Sequence, residues 1–267
     1  MMSLKRQHNR KWQKRPQLYR GRFFYLKQIL QVTVLLSLVV GIFGVALYFQ
    51  RSEALFIKHI PVTGTLTHIT ADDVVRLSQI TPNDKLFSVD LKTITQNIKR
   101  FSWIAEVRVR REFPDTIQID IQERAPIALL KLKDFYYIDQ SEKVFAKVTS
   151  AESPDLPILT GLDDDFAKHY PALSKIYLHE ALHFLTFLQG QVFYKNYAIS
   201  EIHFDPVTGY TVFTADNNLE IYYGRDGVEK KQAKLEKFSQ SKHFNPAQIL
   251  RLDLDAKNKI IARYSSL

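Results

Sequence analysis

The chain has 267 residues, no cysteine, 24% charged residues and a net charge of +9. That length accommodates one or two domains with a full core, and the missing thiols exclude disulfides, a cysteine nucleophile and a cysteine-ligated metal. Nine of the 37 basic residues (Lys5, Arg6, Arg10, Lys11, Lys14, Arg15, Arg20, Arg22 and Lys27) lie within residues 1–28, which carry no acid; the other 28 balance 28 acidic residues. The remainder of the chain is thus neutral, which argues against nucleic acid as a partner.

After the basic tail, no residue from Gln28 to Gln50 is charged, and Ile29–Phe49 is a run of 21 with fourteen Leu, Ile, Val or Phe. As a helix it spans about 31 Å, close to the hydrocarbon thickness of a bilayer. Phe23, Phe24 and Tyr25 at one end and Tyr48 and Phe49 at the other suit its two interfaces. A cleaved signal has a shorter apolar stretch and a small-residue cleavage site, and Tyr48-Phe49-Gln50-Arg51 offers no such site. The expectation is a single uncleaved inner-membrane anchor at 29–49. The bases hold residues 1–28 in the cytoplasm, where they can also meet anionic lipid, and everything after about residue 50 is exported.

Residues 55–124 read as strand, helix, helix, strand, strand. Phe56–Val62 alternates as a strand would, and Gly64 ends it. Thr70-Ala71-Asp72-Asp73 places an N-cap before an acid at N3 and opens a helix through Val74, Val75 and Leu77. Asp90 can cap a second helix whose stripe is Leu91, Ile94, Ile98 and Phe101. Trp103 follows. Val107 and Val109 alternate with Arg108 and Arg110, Pro114-Asp115 makes a turn, and Ile117, Ile119 and Ile121 alternate with polar residues, predicting a hairpin with one buried face.

Residues 125–267 read as short strands broken by turns: 128–131, 135–138, 143–146, 199–204, 210–214, 219–223, 250–254 and 259–264. Helices are expected over about 172–189 and 226–240, the second with Val228, Leu235 and Phe238 as its apolar stripe. The fold class is α+β: a membrane helix, a β-α-α-β-β module, then a mainly antiparallel β domain with two helices.

His179-Glu180-Ala181-Leu182-His183 fits the H-E-x-x-H pattern of zinc proteases, with Glu201 downstream as a third-ligand candidate. Helical geometry argues against it. Tyr177, Ala181, Phe184, Leu185 and Leu188 share one face, and His179 and His183 fall roughly opposite, on the polar side with Lys175 and Thr186. Zinc ligands in an enzyme converge inside a walled cleft. The other histidines form no spaced cluster, no Ser-His-Asp order or phosphate-cradling glycine loop stands out, and Asp163-Asp164-Asp165 reads as a solvated loop. No enzyme, cofactor or metal is expected.

The 55–124 topology resembles a POTRA domain, the small module of exported assembly proteins. Leu86-Phe87-Ser88-Val89-Asp90-Leu91, Trp103-Ile104, Val107-Arg108-Val109, Phe113-Pro114-Asp115-Thr116-Ile117 and Glu123-Arg124-Ala125-Pro126-Ile127-Ala128 occur in an order and spacing similar to the FtsQ/DivIB family of division proteins. Leu156-Pro157-Ile158-Leu159-Thr160-Gly161 resembles that family's Leu-Pro…Gly segment, and Gly224-Arg225 with Leu235 and Phe238 resembles its Gly-Arg…Phe pattern. The last hairpin departs from it, with Arg251-Leu252-Asp253-Leu254 and Asp255-Ala256-Lys257-Asn258 where the family carries Asp-Leu-Arg-Tyr and a turn glycine. Asn258 can take the conformation that glycine would supply. The resemblance implies a scaffold at the division septum that binds the FtsB/FtsL pair and links early to late division proteins, with the POTRA-like module serving recruitment. A β domain ending in a hairpin offers unpaired backbone groups that a partner strand can complete; the alternative is an edge blunted against aggregation by Lys257, Lys259 and Arg263. On the family pattern this places FtsB on Leu250, Arg251, Leu252, Asp253 and Leu254 and on Ile260, Ile261, Ala262, Arg263 and Tyr264, with Arg225 as a charge contact. A POTRA-bearing secretion factor would carry several copies and a membrane barrel, and the final strands are too few and too polar for one.

Overall fold

The computed structural model describes residues 20–51, 55–162, 164–257 and 259–265. Residues 1–19 of the basic tail, Asp163 of the acidic run and Asn258 of the last turn lie outside them. Helix α1 (Arg20–Arg51) contains the apolar run, with Tyr25–Val45 long and apolar enough to cross a membrane and no part of that span buried by protein. Side chains such as Leu35, Leu36 and Val40 stand exposed, the environment a bilayer would supply.

The chain divides into two compact units, one of Met1–Pro61, Ile80–Asp90 and Arg111–Gln118 and the other of Val62–Gln79, Leu91–Arg110 and Ile119–Leu267. In the first, residues 56–61 of the segment expected as a strand at 56–62 form only isolated bridges, Phe56 to Lys85 and His59 to Thr116. Its backbone is divided between two neighbours: the Ile57 amide donates to the Asp84 carbonyl (3.0 Å) and the Lys58 amide to that of Asp115 (2.9 Å). Leu55 and Ile57 are nevertheless buried, so the alternation reports burial and not a ladder. Arg111 fastens the same unit, its Nε donating to the Leu86 carbonyl (2.7 Å) and its Nη2 to that of Val89 (2.6 Å).

The first true strand is β1 (Val62–Gly64), parallel to β3. Gly64 is the last residue of this strand, paired with Ile121. Its φ is +122°, and a Cβ there would lie 1.9 Å from the Ile121 carbonyl oxygen, so only glycine fits. Helix α2 (Ala71–Ser78) opens with the expected capping box between Thr70 and Asp73, and α3 (Leu91–Ile98) follows Asp90. Strands β2 (Ile104–Glu112) and β3 (Thr116–Glu123) complete a three-stranded sheet of order β1-β3-β2. Val74 of α2, Ile94 and Ile98 of α3, and Ile119 and Ile121 of β3 are all buried.

The second sheet has nine strands: β4 (Pro126–Lys131), β5 (Phe135–Asp139), β6 (Val144–Lys147), β7 (Ile158–Thr160), β8 (Ile199–Asp205), β9 (Gly209–Thr214), β10 (Glu220–Gly224), β11 (Ile249–Asp253) and β12 (Ile261–Tyr264). Their order is β12-β11-β10-β9-β8-β7-β4-β5-β6. The β4–β7, β7–β8 and β10–β11 joins are parallel and the others antiparallel. The expected helices appear as α5 (Pro171–Gln189) and α7 (Val228–Ser239), joined by the short α4 (Asp164–His169) and α6 (Val192–Asn196). Alternate strand residues, among them Ile138, Leu159, Ile202, Val212, Ile221 and Leu252, share one core with Leu185 and Leu188 of α5, Phe193 of α6 and Leu235 of α7. In that core the Tyr194 and Tyr223 hydroxyls bond at 2.9 Å, and burial pushes both phenols above their ordinary range. Tyr223 also donates to Gln232 at 2.5 Å, which ties β10 to α7.

Both glycine-bearing motifs acquire physical reasons here. Gly161, with φ +97°, lets the chain leave β7 so close to β8 that a Cβ would lie 1.7 Å from the Phe204 carbonyl oxygen. At Gly209 a Cβ would meet the Gly224 backbone at 2.3 Å, and at Gly224 it would meet the Asp255 carboxylate carbon at 2.7 Å. The Gly-Arg pair is thus where β9, β10 and the chain after β11 approach one another.

Candidate functional site

The end of the nine-stranded sheet concentrates the residues singled out in the last hairpin. β11 lies between two neighbours, with Arg251 opposite Glu220 on β10 and opposite Arg263 on β12. Its backbone is therefore committed on both sides, and the free rim belongs to β12, which has no further strand on its outer side among the described residues. The Ser265 amide donates inward to the Gln248 carbonyl (2.8 Å). Antiparallel alternation then turns the N–H and C=O of Ala262 and Tyr264 outward.

A bulge between Ile249 and Arg251 resets the side chains of β11. Leu252 and Leu254 are fully buried, whereas Leu250 is 51% exposed. With Ile261 (49%) and Tyr264 (46%) it leaves apolar surface around the rim. Ala262 and Ile260 pack in part against the core. Arg251 pairs with Glu220 (2.9 Å) and lies over the Tyr222 ring (5.5 Å). Burial raises the Tyr222 phenol above its usual range, and Asp255 and Asp253 reinforce the shift. Asp253 is engaged locally, accepting from the Asp255 amide (2.9 Å). Lys257, Lys259 and Arg263 make no ion pair among the described residues, so the rim itself is basic.

Two lysines of α7 that the sequence reading passed over hold this hairpin in place. Lys231 Nζ donates to the Tyr223 carbonyl (2.7 Å) and to Asp255 (2.5 Å), and Lys234 Nζ to the Leu254 carbonyl (2.9 Å). Their i, i+3 spacing on one helix face was a visible signal. Arg225 precedes α7. It lines a cavity of about 480 Å³ between α5, α7 and the start of β9, together with Glu180, His183, Tyr210 and Glu229. Burial and the Glu180 carboxylate push the Tyr210 phenol well up, and Arg225 opposes them.

The H-E-x-x-H residues are divided between two surroundings. His179 and His183 are exposed on the polar face of α5, and Glu180 turns to Tyr210. Glu201, the third-ligand candidate, is on β8, where it accepts from the Thr160 hydroxyl (2.6 Å).

Glu123, Arg124 and Trp103, three residues of the quoted segments, each make specific contacts. Glu123 accepts from the Thr67 and His68 amides (both 2.9 Å) and from the His68 ring (2.9 Å). Burial tends to raise its carboxyl, and the His68 and Thr67 bonds hold it below the ordinary value. Trp103 stacks on His68 at 3.4 Å and meets Tyr137 and Phe145 at 5.0 Å each. Arg124 pairs with the buried Asp139 at 2.5 Å.

Residues 55–124 match the family "POTRA domain, FtsQ-type", and residues 128–255 match "Cell division protein FtsQ/DivIB, C-terminal". A cell division protein FtsQ of Anaeromyxobacter sp. (strain K) is 30% identical over 206 residues, covering 76% of this chain and 69% of that protein. The chain belongs to the FtsQ/DivIB family. The FtsQ of Geotalea daltonii is 28% identical over 251 residues, covering 93% of this chain and 90% of its own. That of Neisseria meningitidis is 24% identical over 238 residues, covering 87% and 92%. The three-stranded module is the family's POTRA domain, the nine-stranded sheet carries its C-terminal domain, and the chain is a cell-division protein with an N-terminal apolar helix suited to membrane anchoring.

Proposed function

We propose that this FtsQ/DivIB protein is a non-enzymatic scaffold of the division septum whose β12 edge receives a strand of FtsB from the FtsB/FtsL pair. The observation that carries the reading is β12 itself, the edge strand at the end of the sheet opposite β6, with outward-facing backbone at Ala262 and Tyr264 and exposed apolar side chains beside it. Backbone bonds would supply affinity and the side chains register. Leu250, Ile261 and Tyr264 form the apolar contacts. Lys259 and Arg263 favour an acidic partner segment, and Arg251, Leu252, Asp253 and Leu254 support the edge from behind. Arg225 would meet a part of the partner that extends past β12.

In this reading residues 1–28 are cytoplasmic, 29–49 span the inner membrane, and the POTRA domain (55–124) and β domain (125–267) face the periplasm. The POTRA domain recruits other division proteins, which links early to late arrivals at the septum.

Ala262→Pro tests the edge. Proline on an edge strand removes an outward N–H and leaves the inner ladder intact. With full-length protein in detergent, FtsB capture is expected to weaken by roughly ten- to a hundredfold, the consequence of one unsatisfied backbone acceptor worth about 1–3 kcal/mol. Undiminished capture by a variant with an unchanged melting temperature would refute strand addition at β12.

A further inference from the structure

The turn between β5 and β6 brings Glu142 to the exposed face of α5. Its Oε1 lies 2.5 Å from His179 Nδ1, and the His179 and His183 rings are 4.3 Å apart between centroids. One ligand atom from each of the three residues lies within 4.8 Å of the others. Glu142 and His179 are 37 positions apart, so this convergence is a product of the fold.

The turn that presents Glu142 is held from below. Asp139 Oδ1 accepts from the Ser141 amide (2.9 Å), the Ser141 hydroxyl (2.6 Å) and the Lys143 amide (3.0 Å), and the Glu142 amide donates back to the Asp139 carbonyl (2.9 Å). Glu142 itself is left-handed, with φ 64°, an uncommon conformation for a side-chain-bearing residue. On the other side, an i, i+4 histidine pair projects both imidazoles from one helix face.

We infer that Glu142, His179 and His183 form a binding site for a borderline divalent transition ion of the zinc class, which clips the β5–β6 turn to α5. Two imidazoles and one carboxylate suit Zn²⁺, Ni²⁺ or Cu²⁺, whereas Mg²⁺ and Ca²⁺ require oxygen ligands throughout. Tetrahedral bonds of about 2.0–2.1 Å place ligand atoms about 3.3 Å apart. Rotation of exposed side chains reaches that spacing, with the Glu142–His179 pair opening to admit the ion. Water completes the coordination. The site is a clip and not a catalytic centre, because Glu180, the carboxylate that would serve as base in a protease, is engaged beside Tyr210.

The test uses full-length protein purified without a histidine tag, in detergent, titrated with ZnCl₂ against a chromophoric chelator. One ion per chain is expected at this site, accompanied by a rise in melting temperature. His179→Ala, His183→Ala and Glu142→Gln are each expected to weaken capture by on the order of tenfold or more and to abolish the thermal rise. All three residues are exposed, and a parent-like melting temperature without zinc establishes that each variant is folded. Zinc capture that survives in His179→Ala/His183→Ala, no stoichiometric capture by the parent, or displacement by millimolar Mg²⁺ would each overturn the assignment.

Discussion

Asp139→Ala should loosen the β5–β6 turn. The Arg124 and Asp139 side chains are only 16% and 8% exposed, and they meet at 2.5 Å. Arg124 keeps one other bond, from Nε to the Ser102 carbonyl (3.3 Å), whereas Asp139 also satisfies the Ser141 and Lys143 amides. Removing the carboxylate leaves a buried guanidinium and two backbone donors without their acceptor. Loss of one partner of a buried pair costs about 3–5 kcal/mol. Exchange of the Ser141 and Lys143 amides reads that opening locally, and it should quicken on the order of 10²–10³-fold. Asp139→Asn retains an acceptor without the charge and should have a smaller effect, about 1.5–3 kcal/mol. The dependence on pH has a definite sign. Burial alone would raise the Asp139 carboxyl, but the Ser141, Arg124 and Lys143 bonds hold it below its ordinary value. A depressed folded-state value means that the contribution is complete above the unfolded value of about 3.9 and is lost as acid protonates the folded group below it. Amide protection, corrected for intrinsic exchange, should therefore be flat from pH 7 to 5 and fall below about pH 4. Exchange in Asp139→Ala within threefold of the parent would refute the account of this pair.

Gly161→Ala places a Cβ 1.7 Å from the Phe204 carbonyl at a left-handed φ, so the β7–β8 join must shift. A loss of about 3–5 kcal/mol in thermal unfolding is expected. Leu252→Ala and Leu250→Ala form a paired test of the β11 bulge: the first removes a fully buried side chain and should cost about 2–5 kcal/mol, whereas the second alters an exposed one and should stay within about 0.5 kcal/mol. Denaturant midpoints compare them, and equal losses would mean that the bulge is misplaced. Leu36→Arg puts a charge into the apolar span at a cost of about 3–4 kcal/mol on the insertion scale, and membrane fractionation should show reduced anchoring.

What the sequence disclosed was largely local and periodic. The Ile117, Ile119 and Ile121 alternation is buried as written, and Thr70 caps α2 through Asp73 as the spacing requires. The misses are elements without a period or contacts without proximity. Three-residue strands such as β1 and β7 show no alternation, and each depends on a parallel partner about 40 or more residues away in the chain. The 56–62 segment shows the converse: alternating apolar residues packed inward while their backbone bonded to two separate loops. At the candidate site, the sequence located the last hairpin but could not divide its two strands into one that is enclosed and one that is free. That division follows from β10 pairing with β11 in parallel, a long-range choice that Arg251-Leu252-Asp253-Leu254 does not encode alone. Arg225 was assigned to the hairpin by resemblance, and the glycine before it has a separate reason, the close approach of the Asp255 carboxylate.

Side-chain and backbone bonds tie the proposed docking rim at both ends. Lys231 and Lys234 fix the chain leaving β11, the Leu254 amide bonds the Tyr222 carbonyl (2.9 Å), and the Ser265 amide closes the far end of β12 on Gln248 (2.8 Å). The Tyr264 hydroxyl adds a bond to the His243 carbonyl (3.3 Å). An edge strand restrained along its length has little conformational entropy left to lose when a partner pairs with it, so the ordering cost falls on the incoming segment. Loosening the clamp, as in Lys234→Met, should therefore weaken capture of the proposed partner even though Lys234 lies on α7 and reaches the hairpin only through the Leu254 and Ala256 carbonyls. If capture were unaffected while β12 amides exchanged faster, the edge would act by side-chain contact and not as a preformed template.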